Sequence, residues 1–481
     1  MNYQFDPKRG CCGGHGPQLG DAFLTRRQFL GRCGMGFGAL SLAGLTGMGL
    51  LPGGRAAAAD AISGPLAPKQ PQFPAKAKRV LHIFAAGAPS QLDTWDPKPG
   101  LKRYDNQSMP DDPNGVAFAS PFTFQKMGKS GIEVSEVFPL LGAQVDRLAI
   151  IRSMFTEIPD HDTASVMMNT GNTRLIRPSV GSWVTYGLGS ENQNMPGFIA
   201  LGPGGVQAKY IRSAFLPGVY QGTSVNTQYS EVERLIENIK NAYTSQQEQR
   251  RQLDLLHQLN EEHSQNLRKD AELEARLQAF EMAYQMQMEA TDAFDISKET
   301  EAVRQAYAAN TQQGRQMLIA RRLLERGVRF VQVWHGGWDN HSNLGTDLRA
   351  RAAECDKPIA ALLTDMAQSG LLNDTLIVWG GEFGRSATAD GNAMGRSPGR
   401  NHNHRAFSIW LAGGGIRRGV VYGKTDEFGV RAVKDPVSVH DLHATLLHVL
   451  GFDHQKLTFR YSGRDFRLTE VYGNVVKGIV S

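Results

Sequence analysis

The stretch "TLIVWGGEFGRS", Thr375 to Ser386, decides the fold. Thr375–Trp379 reads as a short apolar strand. It stops at two glycines, and an acid, Glu382, and a cation, Arg385, follow. Two other runs end the same way. "HIFAAGAPSQLD" leaves the strand Val80 to Phe84 through small residues and reaches Asp93, and "VQVWHGGWDNH" reaches Asp339 and His341. "RRLLERGVRFVQV" before one strand and "CDKPIAALLTDMAQSG" before another read as helices, and "HRAFSIWLAGGG" as a further strand. Strands that alternate with helices predict a largely parallel, doubly wound α/β sheet. Ligands of such sheets gather beyond the carboxyl ends of the strands. Asp93, Asp339, His341 and Glu382 are therefore expected in one region.

The loop "GRNHNHR" adds His402 and His404. Asp339 and His341 lie two apart, as do His402 and His404, and in extended backbone such pairs face one side. Carboxylates mixed with imidazoles suit Zn, Mn or Fe(II), whereas carboxylates alone favour Ca or Mg. Asp93, Asp339, His341, Glu382, His402 and His404 are the candidate metal ligands. The same residues also suit polar loops that cap strands and bind water. Arg385 is placed to clamp an anion through its planar fork, or to form a plain salt bridge. The histidines of "SVHDLHATLLHVLG" read as structural, on an amphipathic helix ended by Gly451.

Residues 1–59 are a different material. "LTRRQFLGRCGMGFGALSLAGLTGMGLL" pairs Arg26-Arg27 with a weakly apolar run, and "GGRAAAADA" offers small residues for cleavage. That is a secretory signal, and it resembles the twin-arginine export leader. It implies passage through the twin-arginine machinery to the periplasm or the exterior. Without this segment the formal charge falls from +5 to about +1, so there is no case for nucleic-acid binding. Only Cys355 remains, which excludes an internal disulfide and a Cys-ligated cluster. No later stretch reaches the roughly 20 apolar residues of a membrane span.

Residues 60–78 read as a linker, and 79–481 as one α/β domain. "RLAIIRSM" is a second strand, and the Gly-, Pro-, Asn- and Ser-rich stretch from Gly171 to Gly222 reads as long surface loops. Residues 223–313 hold neither Gly nor Pro and predict a helical insertion on the sheet. "IPDHDTASVMMNTGN", Ile158 to Asn172, reads as a helix start, with Asp162 or Thr163 as its cap.

The order of these features resembles the alkaline phosphatase/sulfatase superfamily. "GAPSQLDTWDPKP", "PSVGSWVTYGLG", "HGGWDNH", "GGEFGRS", "GRNHNH" and "YGKTDEFG" together resemble, more closely, family 1501 of the domains of unknown function, a twin-arginine-exported, sulfatase-like group. The resemblance implies an alkaline-phosphatase-like three-layer α/β/α sandwich with a mostly parallel sheet. In that superfamily a Ser, Thr or formylglycine nucleophile starts a helix nine residues before the Thr of a Thr-Gly pair. Here that position holds His161, and no Cys-x-Pro-x-Arg follows, so formylglycine chemistry is not expected. Thr163 is the substitute nucleophile if the helix starts later. Glu382 stands for a ligating Asp and Phe383 for a ligating His, which favours one divalent metal (Zn, Mn or Ca) over two.

The expected function is an exported, metal-dependent hydrolase of sulfate or phosphate esters acting on an anionic small-molecule or glycan ester. His161 would serve as ligand, base or transient phospho-acceptor, and Arg385 would hold the anion. One alternative is an inactive protein on the same fold that binds metal or anionic glycans. Another is an Fe(II) redox enzyme using two histidines and a carboxylate.

Overall fold

The computed structural model describes residues 65–110, 112–235, 244–266, 277, 280–281, 284, 291–390 and 397–481. The segment read as an export leader lies outside the described residues, as does part of the expected helical insertion. Residues 65–78 run irregularly along the body, with Leu66 and Ala77 buried.

The centre is a nine-stranded sheet. Its strands, in chain order, are β1 (Arg79–Ala85), β2 (Leu148–Phe155), β3 (Phe198–Gly202), β4 (Thr223–Asn226), β5 (Phe330–His335), β6 (Thr375–Gly380), β9 (Phe407–Gly413), β10 (Val420–Tyr422) and β11 (Val437–Ser438). Labels β7 (Gly384–Ala389) and β8 (Arg400–Asn403) belong to an antiparallel pair between β6 and β9. The spatial order is β10-β2-β9-β6-β1-β5-β3-β4, with β11 also paired to β2. All pairings are parallel except the two made by β9.

Alternation along β1 explains why the sheet is covered twice. Leu81 and Ile83 enter one core, while Val80 and Phe84 enter the other. The first core is closed by helices α4 (Gln312–Glu325) and α5 (Leu344–Gln368); helix α3 (Gln246–Asn266) buries Leu253 outside both clusters. The second is closed by α1 (His161–Thr170), α2 (Val180–Leu188) and α6 (Val439–Val449). This is a three-layer α/β/α sandwich. Each large apolar side chain buried in it contributes about 1.5–3 kcal/mol, and β6 is buried along its whole length.

The stretch from Gly171 to Gly222 is not loop throughout, as its composition suggested. It holds α2, the buried strand β3 and a short helix, Ala208–Ile211. Two of its glycines are packing devices: a Cβ at Gly181 or Gly222 would stand 2.6 Å from the Phe198 ring. At the far end, the Gly- and Pro-free segment opens with strand β4 rather than helix, paired in parallel to β3. Its β-branched Thr223 and Val225 suit that edge. Helix α6 starts with a Ser438–Asp441 capping box, and its His443 is buried with Nε2 on the Met168 carbonyl at 2.9 Å.

Register levels the ends of the central strands. Phe84 pairs with Gly380, and Ala85 with His335, so the loops after β1, β5 and β6 leave the sheet side by side. Helix α1 ends at Gly171, whose φ of 68° is left-handed. A Cβ there would also stand 2.5 Å from the Leu468 carbonyl oxygen. Gly171→Ala is expected to lower stability by about 1–2 kcal/mol from the backbone conformation alone, with the carbonyl clash added. A denaturant midpoint equal to the parent's would contradict it.

Candidate metal centre

Four side chains converge where the three central loops meet. His161, Asp339, His341 and His402 each offer one ligand atom, and these atoms lie within 4.8 Å of one another. They arrive on three supports. His161 is the first residue of α1, whose N-cap is Asp160, with its carboxylate on the Thr163 amide at 2.9 Å. Asp339 and His341 follow β5, and His402 lies on β8.

The outer nitrogen of each imidazole is tied down. His161 Nδ1 is 2.5 Å from Glu382 Oε1, His341 Nδ1 is 2.6 Å from Asp390 Oδ2, and His402 Nδ1 is 2.9 Å from the Pro159 carbonyl. Carbonyls and carboxylates only accept, so these contacts place a proton on each Nδ1 and turn each Nε2 inward. Metal-ligating histidines are oriented in the same way.

The inward atoms are spaced for a small cation. His161 Nε2, His341 Nε2 and His402 Nε2 lie 3.1, 2.9 and 3.5 Å from Asp339 Oδ1. His341 Nε2 and His402 Nε2 are 3.1 Å apart. A tetrahedron with bonds of about 2.0–2.1 Å has edges of about 3.3 Å. His161 Nε2 is buried and makes no well-aligned hydrogen bond. The set can hold a metal ion. Phe383 forms its floor, with ring centroids 4.7 Å from His161 and 4.8 Å from His402. The Asp339 and His341 side chains remain 43% and 39% exposed, so the centre is open to solvent on one side.

Charge supports the same reading. Burial disfavours protonated His161, but the Asp339 and Glu382 carboxylates outweigh it and raise its pKa to about 9. Burial likewise opposes the Asp339 charge, but His161, His402 and Arg385 hold its carboxyl far below the usual range.

The remaining candidates have other partners. Asp93 is fully buried and paired with Arg400, Oδ2 to Nε at 2.6 Å and Oδ1 to Nη2 at 3.1 Å. It therefore anchors β8, two residues from His402, instead of reaching the cluster. Glu382 is also not among the converging atoms, because the His161 ring stands between; its Oε1 also accepts the Gly87 amide at 2.9 Å. His404 turns away to the Thr156 carbonyl at 2.8 Å, because β8 ends at Asn403 and the two-residue alternation stops. Thr163 contributes its amide to the helix cap. Asp162 is not the cap; it binds Tyr210 and Lys209.

Arg385 is not a free clamp. It is fully buried, with Nε on the Ala88 carbonyl at 3.0 Å, Nη2 on the Gly87 carbonyl at 2.5 Å and on Asp339 Oδ1, and Nη1 on the Arg400 carbonyl at 3.3 Å. Sequence reasoning missed Asp390 and the Pro159 carbonyl, which carry no spacing signal. It also missed Asp160 as cap, although an Asp just before the first helical residue is such a signal.

A family profile described as "Protein of unknown function (DUF1501)" matches residues 77–480. No curated protein matches. Among solved structures, the chain is similar to the PsFucS1 sulfatase from Pseudoalteromonas sp., with 13% identity, TM-score 0.34, and 78% of this chain and 68% of that chain covered. It is also similar to alkaline phosphatase from the Antarctic bacterium TAB5, with 10% identity, TM-score 0.29, and 72% and 93% covered. The lipoteichoic acid synthase LtaP from Listeria monocytogenes gives 9% identity, TM-score 0.35, and 84% and 77% covered. At these values no chemistry carries over from them.

Two outcomes are expected. Asp93→Ala strands the buried Arg400 charge and costs about 3–5 kcal/mol, while the folded fraction keeps its metal stoichiometry; a lost equivalent of metal would make Asp93 a ligand. Metal binding at pH 7 releases about one proton, because His161 with a pKa of about 9 is protonated until a metal displaces it. Affinity therefore rises with pH up to about 9. Calorimetry in buffers of different ionisation enthalpy counts the proton, and a count near zero would contradict this assignment.

Proposed function

Because the chain belongs to the DUF1501 family, whose description names no reaction, we propose from the centre itself that it is a metal-dependent hydrolase of phosphate or sulfate esters. The observation that carries the reading is the convergence of three outward-tethered imidazoles and one carboxylate whose donor atoms lie within 4.8 Å of one another, on the carboxyl edge of the sheet and open to solvent. Three imidazoles and one carboxylate favour Zn or Fe(II) over Ca, and one ion rather than two.

A bound divalent cation supplies Lewis acidity, polarising an ester oxygen and lowering the pKa of water. The chain's own residues do the rest. His161, His341, His402 and Asp339 would hold the ion. Glu382, Asp390 and the Pro159 carbonyl fix the three rings and raise their basicity. Arg385 holds Asp339 in place. Phe383 occupies the floor where a second ion would need a donor. His161 stands where the superfamily's attacking group was expected, and the tether on its Nδ1 with Nε2 turned inward supports a ligand role over that of a nucleophile. The leader expected from the sequence supports work outside the cytoplasm, on small-molecule or glycan esters.

One observation favours a second reading. Four protein donors fill a tetrahedral shell, as in structural sites, which suits a metal- or glycan-binding protein without turnover. The two part in one experiment. For an enzyme, His161→Ala and Asp339→Ala each lower kcat/KM on aryl phosphates or aryl sulfates by at least about 100-fold, and Glu382→Gln by about 10–100-fold. Unchanged hydrolysis in both ligand variants would sink the mechanism, and full metal content with no turnover on any ester would select the binder.

A further inference from the structure

The four most exposed large apolar side chains among the described residues fall on two loops. Leu175 and Ile176 are 58% and 67% exposed, and Val471 and Tyr472 are 69% and 62% exposed. Single exposed apolar residues are ordinary, whereas a cluster of them belongs to contact surfaces. Glu470, next to Val471, joins the two loops. Its Oε1 accepts Asn172 Nδ2 at 3.3 Å and Arg177 Nε at 2.6 Å, from the two ends of the first loop. His440 joins them again, with Nε2 2.9 Å from the Gly171 carbonyl oxygen and its ring centroid 5.0 Å from that of Tyr472.

The first loop is built to hold its apolar pair outward. Asn172 Oδ1 accepts the amides of Arg174 and Leu175, at 3.0 and 2.9 Å. The Arg177 guanidinium lies 4.5 Å over the Phe466 ring, which ties the other end of the loop to the hairpin of residues 459–466. Folding Leu175 and Ile176 back onto the body would break these bonds.

The charge around the apolar residues is positive. Over residues 172–178 and 459–472, five arginines stand against two acids, Asp465 and Glu470, a net of +3. Both acids have internal partners: Glu470 serves Arg177 and Arg464, and Asp465 lies 3.2 Å from Arg460. Asp441, the acid beside His440, caps helix α6 and accepts the Asn474 amide at 2.6 Å. Arg174 is exposed beside Leu175 and, among the described residues, forms no ion pair.

We propose that these two loops dock the protein on an anionic lipid bilayer. Leu175, Ile176 and Val471 enter the acyl boundary, Tyr472 sits at the level of the headgroups, and the arginines meet the headgroup phosphates. Charge selects this occupant. A second copy seated on the same patch sets the arginines against their own copies. Residues 1–59, with six Lys/Arg and two Asp, carry the same sign at +4. An anionic bilayer meets both the apolar loops and the cations. The proposal stands apart from the hydrolase reading. Helix α1 runs from His161 to Thr170, about 15 Å, so one helix joins the docking loop to the candidate centre.

The test is co-sedimentation of the full chain with vesicles of phosphatidylcholine, alone or mixed with phosphatidylglycerol. The parent is expected to bind the anionic vesicles at least about tenfold tighter than the neutral ones, and to lose much of that preference in high salt. Leu175→Ser/Ile176→Ser should weaken binding at least about tenfold, and Arg174→Gln about fivefold. Residues 1–59 are common to all these chains, so the differences belong to the loops. The side chains are exposed, so the parent's melting temperature should be kept. Should the serine variant melt early, Tyr472→Trp decides: lipids brominated on the acyl chain should quench it more than the parent. Equal binding of the parent and the serine variant at an unchanged melting temperature, equal affinity for both vesicle types, or no added quenching would overturn the proposal. A dimer dissociated by the serine substitutions, with vesicle binding unchanged, would assign the patch to a second copy and overturn the bilayer.

Discussion

One buried cation holds the centre together. Arg385 is cut off from water, and a guanidinium in that position must find its counter-charge and its acceptors within the protein. It finds them on three separate pieces of chain: the carbonyls of Gly87 and Ala88 after β1, the Asp339 carboxylate after β5, and the Arg400 carbonyl on β8. None of those loops can move outward without stranding the charge. Arg400 repeats the device one layer down, with Asp93 as its counter-ion and the Phe118 carbonyl as a further acceptor. The spacing of the four donors is thus set by neighbours that are not themselves donors. This rigidity explains how three inward lone pairs and a carboxylate are kept within a few ångströms of each other.

Much of this was legible in the sequence, and the rest was not, for physical reasons. Apolar runs that stop at small residues gave the central strands and the edge where the centre lies, because burial on both faces leaves a strong compositional mark. Asp339, His341 and His402 were visible as histidines and acids at strand ends, and His161 by its distance from Thr170-Gly171. What the spacing could not tell was which acid faces an imidazole and which faces a guanidinium. Asp93 and Glu382 carry the same local signature as Asp339, yet one neutralises Arg400 and the other aims His161. That choice depends on partners about 220 to 310 residues away. Likewise β3 and α2 hid among glycines, two of which, Gly181 and Gly222, serve close packing against Phe198 rather than turns.

The centre departs from its resemblance in an informative way. An imidazole stands where a hydroxyl or formylglycine was expected, and an aromatic ring lies beneath it where a further ligand was expected. Those two changes fit each other. A ring at position 161 that is tethered outward leaves its inner nitrogen for coordination, and Phe383 offers no donor for a second ion. Together the two residues make a compact, nitrogen-rich cradle on the carboxyl edge of the sheet.

The antiparallel strand β9 has a consequence for how such a site changes over time. Because β6 and β9 are sheet neighbours running in opposite senses, everything between Gly380 and Phe407 is one excursion from a single edge of the scaffold. Glu382, Phe383, Arg385, Asp390 and His402 all sit on it. Lengthening such an excursion costs little, about 0.6 kcal/mol for each doubling, and leaves the strand register untouched. His161 and Asp339 belong instead to connections within the parallel framework. The candidate centre is therefore divided between residues carried by the parallel framework and residues carried by one excursion, and Arg385 is the bond between the two halves.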